Sequence, residues 1–228
     1  FFRAMEGLDM AGIDVVCNLL PEQTSGTYKT AFNEFDCDFN HWGLAKMASS
    51  SAHLDPKKSG NALCEAFGAY GWFEGLRLMK WITDHLAVQG VGIVTPHAFS
   101  PSPYPAPDCP PHFYARGRNP QFRHFHVWAN YANRLGDALS GASHVAPVAV
   151  VYHAEAEWGG ESEPFEKAVK ALAQAQIDCD VVPIDKLMED AASAENGVLR
   201  IEQEVFRVLV VPYMQNIPEA LADKINEI

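Results

Sequence analysis

One carboxylate interrupts an apolar run at residues 61 to 72, Asn-Ala-Leu-Cys-Glu-Ala-Phe-Gly-Ala-Tyr-Gly-Trp. Ionised side chains are rarely buried without a partner. Glu65, followed closely by Phe67, Tyr70 and Trp72, therefore reads as a pocket carboxylate beside an aromatic floor. That pairing suits carbohydrate chemistry, in which a carboxylate meets developing positive charge and a flat ring stacks on the apolar face of a sugar. The plainer alternative is a strand-end glutamate that turns to solvent or pairs with a loop charge.

The segments around Glu65 must hold it in place. Residues 61 to 67 read as a strand. Trp72, Leu76, Met79, Ile82 and Leu86 then recur at helical spacing until Gly90 ends the helix, predicted over 72 to 89. Val91 to Thr95 is a second short strand, and it ends in Pro96-His97-Ala98-Phe99. Parallel strands joined by helices carry their sites at the strand C-termini, so Glu65 and His97 are expected on neighbouring rims of one pocket. Tyr70, Trp72, His97 and Phe99 are candidate substrate contacts, the rings by stacking and His97 by a hydrogen bond to a hydroxyl. Glu22, near the end of an earlier predicted strand (residues 12 to 20), is the other carboxylate placed for such a rim, although loop glutamates are commonly solvated.

Composition narrows the partners. With 17 Lys and Arg against 29 Asp and Glu, the formal charge is −12, which disfavours nucleic acid and anionic membrane surfaces and favours a neutral, solvated substrate. The five cysteines, Cys17, Cys37, Cys64, Cys109 and Cys179, show no C-x-x-C spacing and read as reduced and structural. This points to a cytoplasmic protein without a zinc site. No apolar run approaches the roughly 18 residues that cross a bilayer. His124 and His126 lie two apart on a helix and do not face one metal, and H-E-x-x-H is absent.

Along the chain, strands and helices alternate. Phe39 to His53 and Phe122 to Leu139 read as further helices, with Trp81 and Trp128 at core spacing, and three βα units in succession imply a parallel sheet. Seven of the fifteen prolines fall between Pro101 and Phe122. That stretch also carries Tyr104, Asp108, His112, Phe113, Tyr114, Arg116 and Asn119, and reads as an ordered loop that shapes a site. After a hinge at Gly141-Ala142-Ser143, strands at 148 to 152, 179 to 182 and 208 to 211 with intervening helices give a βαβαβ pattern of flavodoxin-like type. It has no G-x-G-x-x-G, so no nucleotide cofactor is expected. The expected division is 1–143 and 144–228. The opening run Phe1 to Met10 reads as the end of a helix, so the chain is expected to be a piece of a longer polypeptide.

The runs CEAFGAYGWFEGLRLMKWITDHLAVQGVGIVTPHAFS, CPPHFYARGRNPQFRHFHVWANYANRL and VAVVYHAEAEWGG together resemble bacterial glycoside hydrolases related to the α-L-rhamnosidases of family 106. The resemblance implies an α/β fold: the C-terminal part of a (β/α)₈ barrel, its last three βα units, followed by a flavodoxin-like domain. The β-galactosidases of family 42 share that order and are the alternative. In clan A glycosidases the glutamate ending the seventh strand is the nucleophile, and in inverting rhamnosidases a glutamate is the general base. By resemblance Glu65 takes that part, and the acid comes from an earlier strand. Related rhamnosidases use calcium, but no calcium-loop spacing occurs here, so no metal is expected. A partial barrel leaves strand edges and a core face uncovered, so completion by a partner chain, by further residues or by self-association is expected, and the second domain resembles the trimer-forming domain of family 42.

Two other classes compete. A non-catalytic sugar-binding or assembly module would account for an incomplete barrel. An amidotransferase-like enzyme would need a nucleophilic cysteine on a strand-to-helix elbow, whereas Cys179 begins a strand.

Overall fold

The computed structural model describes residues 1–228 apart from 24, 30–33, 101, 103–104, 106–109 and 190–191. Tyr104, Asp108 and Cys109 therefore lie outside the described residues.

A single turn, α1 (Phe2–Met5), precedes strand β1 (Ala11–Val16). The antiparallel pair β2 (Thr27–Lys29) and β3 (Glu34–Asp36) follows, then a π-helical turn (Phe39–Gly43) and helix α2 (Leu44–His53). Strand β4 (Ala62–Gly68), helix α3 (Leu76–Ala87), strand β5 (Ile93–Pro96) and helix α4 (Phe125–Leu139) complete the first half. Strands β1, β4 and β5 form a parallel sheet in the order β1-β4-β5.

Alternation along these strands explains the packing. Ala11, Ile13 and Val15 of β1 and Ala62, Cys64 and Ala66 of β4 point to one face, where they meet Ala45 and Ala48 of α2, Met79, Ile82 and Leu86 of α3, and Trp128 of α4. Full burial of the Ile, Val, Met and Leu side chains among them stabilises by about 1.5–3 kcal/mol each. The other face carries Asp14, Val16, Leu63, Glu65, Ile93 and Thr95 and has no covering layer among the described residues, where Val16 and Ile93 are more than a third exposed.

The second half begins with β6 (Val148–Tyr152), helices α5 (Ala154–Gly159) and α6 (Phe165–Gln174), strand β7 (Cys179–Pro183) and helix α7 (Ile184–Met188). An antiparallel sheet of β8 (Ala192–Glu195), β9 (Val198–Ile201) and β10 (Glu204–Phe206) comes next, then β11 (Val208–Val210) and α8 (Glu219–Glu227). Strand β11 pairs in parallel with β6, giving the order β11-β6-β7.

Helix α2 lies between the two parallel sheets. It is rich in Ala and Ser because both flanks are packed, one by β1 and β4 and the other by β7, and its Ser50 hydroxyl accepts from Val181 N at 2.8 Å and donates to Asp180 at 3.0 Å.

The α/β class and the parallel strands agree with the sequence reading, and the described strands form open sheets and no closed barrel. Three features differ. The segment read as a strand over 12 to 20 leaves the sheet after Val16, and α3 starts at Leu76 rather than 72. Gly71, with φ +84°, turns the chain first and leaves Trp72 and Phe73 exposed. The antiparallel sheet of β8 to β10 is an addition that the βαβαβ reading omitted. Among the described residues the cysteines, Cys17, Cys37, Cys64 and Cys179, are free thiols, and no helix is long and apolar enough to cross a membrane.

Candidate active site

In-register pairing places Asp14 of β1, Glu65 of β4 and Thr95 of β5 in one row on the uncovered face. Adjacent strands lie about 4.8 Å apart, so the two carboxylates are near neighbours. Two residues beyond Glu65 the register slips: Val15 faces Ala66, Val16 faces Gly68, and Phe67 is the extra residue of a bulge with φ +80°. A bulky residue rarely takes that conformation. Here it turns the Phe67 ring into the helix-covered core, where it packs edge-on against Trp128 with centroids 5.2 Å apart. Bulges re-aim side chains beside functional sites. The row of charged side chains ends at this one.

His97 follows β5 and closes the cluster. Its Nδ1 lies 3.2 Å from Glu65 Oε1, its backbone N–H donates to Ala66 O at 2.8 Å, and its ring packs against the bare backbone of Gly68. Burial, and after it the charge of Glu65, holds the Asp14 carboxyl above the usual carboxylate range, with His97 opposing. In a Glu65→Gln variant, Asp14 should therefore titrate at lower pH than in the wild type while staying above an ordinary aspartate, because its burial persists. Carboxyl-carbon NMR titration of the two proteins measures this, and an unmoved Asp14 would mean that the two carboxylates are not coupled.

The remaining sequence candidates separate. Trp72, about half exposed, stacks on His112 with centroids 5.9 Å apart. Phe99, equally exposed, joins Phe113, Phe122 and Phe125 in an aromatic cluster. Tyr70 does not face an open surface. It is buried, and its hydroxyl accepts from Leu19 N and donates to Leu19 O, bracing the chain that leaves β1. Glu22 sits in an exposed turn outside the paired strands. Trp128 is core, its indole N–H donating to Thr83 at 3.0 Å. The described end of the proline-rich loop is tied to both strand ends: Gly71 N donates to Pro110 O, Ala98 N to Pro111 O and Phe113 N to Ala98 O.

Two residues in this region were not singled out from the sequence. Asp14 carried the same signal as Glu65, a charge inside an apolar strand. Glu74, just before α3, is buried, and neither of its carboxyl oxygens has a hydrogen-bond partner among the described residues. Burial pushes its pKa up to about 9, so it holds its proton at neutral pH. It lines a small cavity with Asn119, Gln121 and Phe125. A cleft of about 690 Å³ lies elsewhere, at the N-terminal ends of β4 and β5 beside Ala62 and Ile93.

No family model and no curated protein matches the chain. Among solved structures, it is similar to the structure of a rhamnosidase from Novosphingobium sp. PP1Y, with a TM-score of 0.65 and 16% identity over 98% of this chain. The chain spans about a fifth (20%) of the length of that structure. At such low identity the likeness is one of fold: these α/β units have the arrangement of a segment of a rhamnosidase.

Proposed function

We propose that this chain provides part of the catalytic domain of a glycoside hydrolase of the α-L-rhamnosidase type, related to family 106, with Glu65 as its general base or nucleophile. The observation that carries this reading is the cluster of Asp14, Glu65 and His97 on the uncovered face of a parallel sheet, ended by a bulge. The fold likeness to a rhamnosidase supports it. So does the bare sheet face, which is what a section of (β/α)₈ wall presents to the barrel interior.

Glycosidic cleavage passes through an oxocarbenium-like state that an ionised carboxylate stabilises, and it also needs a carboxyl that keeps a proton. In this reading Glu65 supplies the charge, and His97 orients it through the 3.2 Å contact. Asp14, which holds its proton to higher pH than an ordinary aspartate, is the carboxyl of this chain best placed to share one. Trp72 and Phe99 offer stacking faces. A metal is not part of the proposal for this cluster.

The test is hydrolysis by the full-length protein of a panel of chromogenic glycosides that includes α-L-rhamnosides and β-galactosides. Turnover of the rhamnoside is expected. Preference for the galactoside would move the assignment to the family 42 type. A folded protein that neither cleaves nor binds any sugar of the panel would overturn the hydrolase reading.

A further inference from the structure

A second cluster of chemically capable side chains lies away from the Glu65 row, where α2, the segment after α4 and β7 converge. His53 ends α2, His144 precedes β6, and Asp180 is the second residue of β7. The imidazoles of His53 and His144 stack with centroids 3.9 Å apart and an interplanar angle of 19°. Both turn Nδ1 toward the same carboxylate. His53 Nδ1 is 2.8 Å from Asp180 Oδ1, and His144 Nδ1 is 3.1 Å from Asp180 Oδ2. The three donor atoms lie within 4.8 Å of one another, Asp180 is fully buried and His53 nearly so.

The surroundings favour a cation. Asp178 Oδ2 is 3.1 Å from His144 Nε2, and the buried Glu204 has Oε2 3.7 Å from His144 Nδ1. Three carboxylates thus face the two imidazoles, and the fixed cation among their described contacts is Lys46, paired with Asp178. Buried carboxylate charge is costly; protons on the two imidazoles can offset it, and a divalent ion can take their place. The donor set selects the kind of ion. Two imidazoles with carboxylate suit zinc and its first-row neighbours, whereas calcium and magnesium prefer all-oxygen sites. Bonds of about 2.0–2.1 Å place ligand atoms roughly 3–3.4 Å apart, close to the observed 2.8 and 3.1 Å, and the two stacked imidazoles would tilt apart so that both Nδ1 atoms point at one ion. His53, His144 and Asp178 also line the 690 Å³ cleft, which leaves an approach for the ion and an open position for water.

We propose that His53, His144 and Asp180 form a binding site for a divalent transition-metal ion of the zinc type, with Asp178 holding His144 through its outer nitrogen. Such a site joins three segments far apart in the sequence, so the bound ion would also brace α2 against β7.

Calorimetric titration of zinc into the metal-free protein tests this, beside His144→Ala and His53→Ala variants whose fold is checked by circular dichroism. The wild type should take up one equivalent with a rise in thermal midpoint, and each variant should bind at least about 10-fold more weakly. Cobalt(II) substitution of the wild type gives a readout that does not depend on the variants folding, and the visible spectrum of a tetrahedral nitrogen and oxygen site is expected. Absence of stoichiometric zinc uptake by the wild type, an octahedral aqua-type cobalt spectrum, or equal affinity in wild type and both variants would overturn the proposal. The cluster would then be an ion network held together by a proton.

Discussion

Glu74→Gln is expected to stabilise the protein by about 3 kcal/mol at pH 7, with the gain growing as pH rises. The Glu74 carboxyl has a pKa near 9 in the folded protein, against an ordinary value of 4.5, because burial disfavours its charged form. Between those two values the folded state binds a proton that the unfolded state has released. Stability therefore falls as pH rises through this window, by about 1.4 kcal/mol for each pH unit. At pH 7 the interval above 4.5 is 2.5 units, which sets the 3 kcal/mol scale. Glutamine is neutral in both states and removes this dependence while keeping the shape. Urea unfolding of wild type and variant at pH 5, 7 and 8.5 measures it. A small difference at pH 5 that widens steadily is the expected pattern, and a difference independent of pH would show that Glu74 is ionised or solvated in the folded protein. A buried carboxyl without hydrogen bonds is a cost that folding alone gives no reason to keep, and such costs collect at functional sites.

The sequence carried the β4-α3-β5 unit well because its signals are strong: a β-branched or alternating apolar run, a stripe of period 3.6, and Gly90 with φ +92° where a helix-ending glycine was expected. Boundaries fared less well. Trp72 fits the stripe of α3 by spacing, yet the left-handed turn at Gly71 keeps it outside the helix. The hairpin of β8 and β9 is legible: Asn196-Gly197, both at positive φ, sits between short alternating runs, which is a strong local signature of two paired strands. Asp14 stands out less than Glu65 because the apolar run around it continues past Val16, where the strand itself ends. The bulge at Phe67 was not legible, because a bulge is a property of pairing and not of one strand. His53, His144 and Asp180 are 91 and 36 residues apart, and only the placement of α2 between two sheets brings them together. Glu74 gave no signal, since a glutamate at the start of a helix is ordinary on a surface and unusual only once it is buried.

The largest catalytic effect is expected at Glu65. Glutamine preserves the shape of the side chain and its contact distance to His97, and it removes the charge that an oxocarbenium-like state requires. The side chain is about half exposed (47%) on the uncovered sheet face, so its replacement takes nothing from the core. The loss should therefore fall on catalysis and not on folding. The deciding measurement is kcat of the full-length enzyme and its Glu65→Gln variant on the glycoside it cleaves best, made beside their thermal midpoints. The account predicts a fall in kcat of at least about 10³-fold with the midpoint unchanged or slightly raised. Near-normal turnover in Glu65→Gln, or a variant that no longer folds, would contradict it and leave Glu65 as a structural residue.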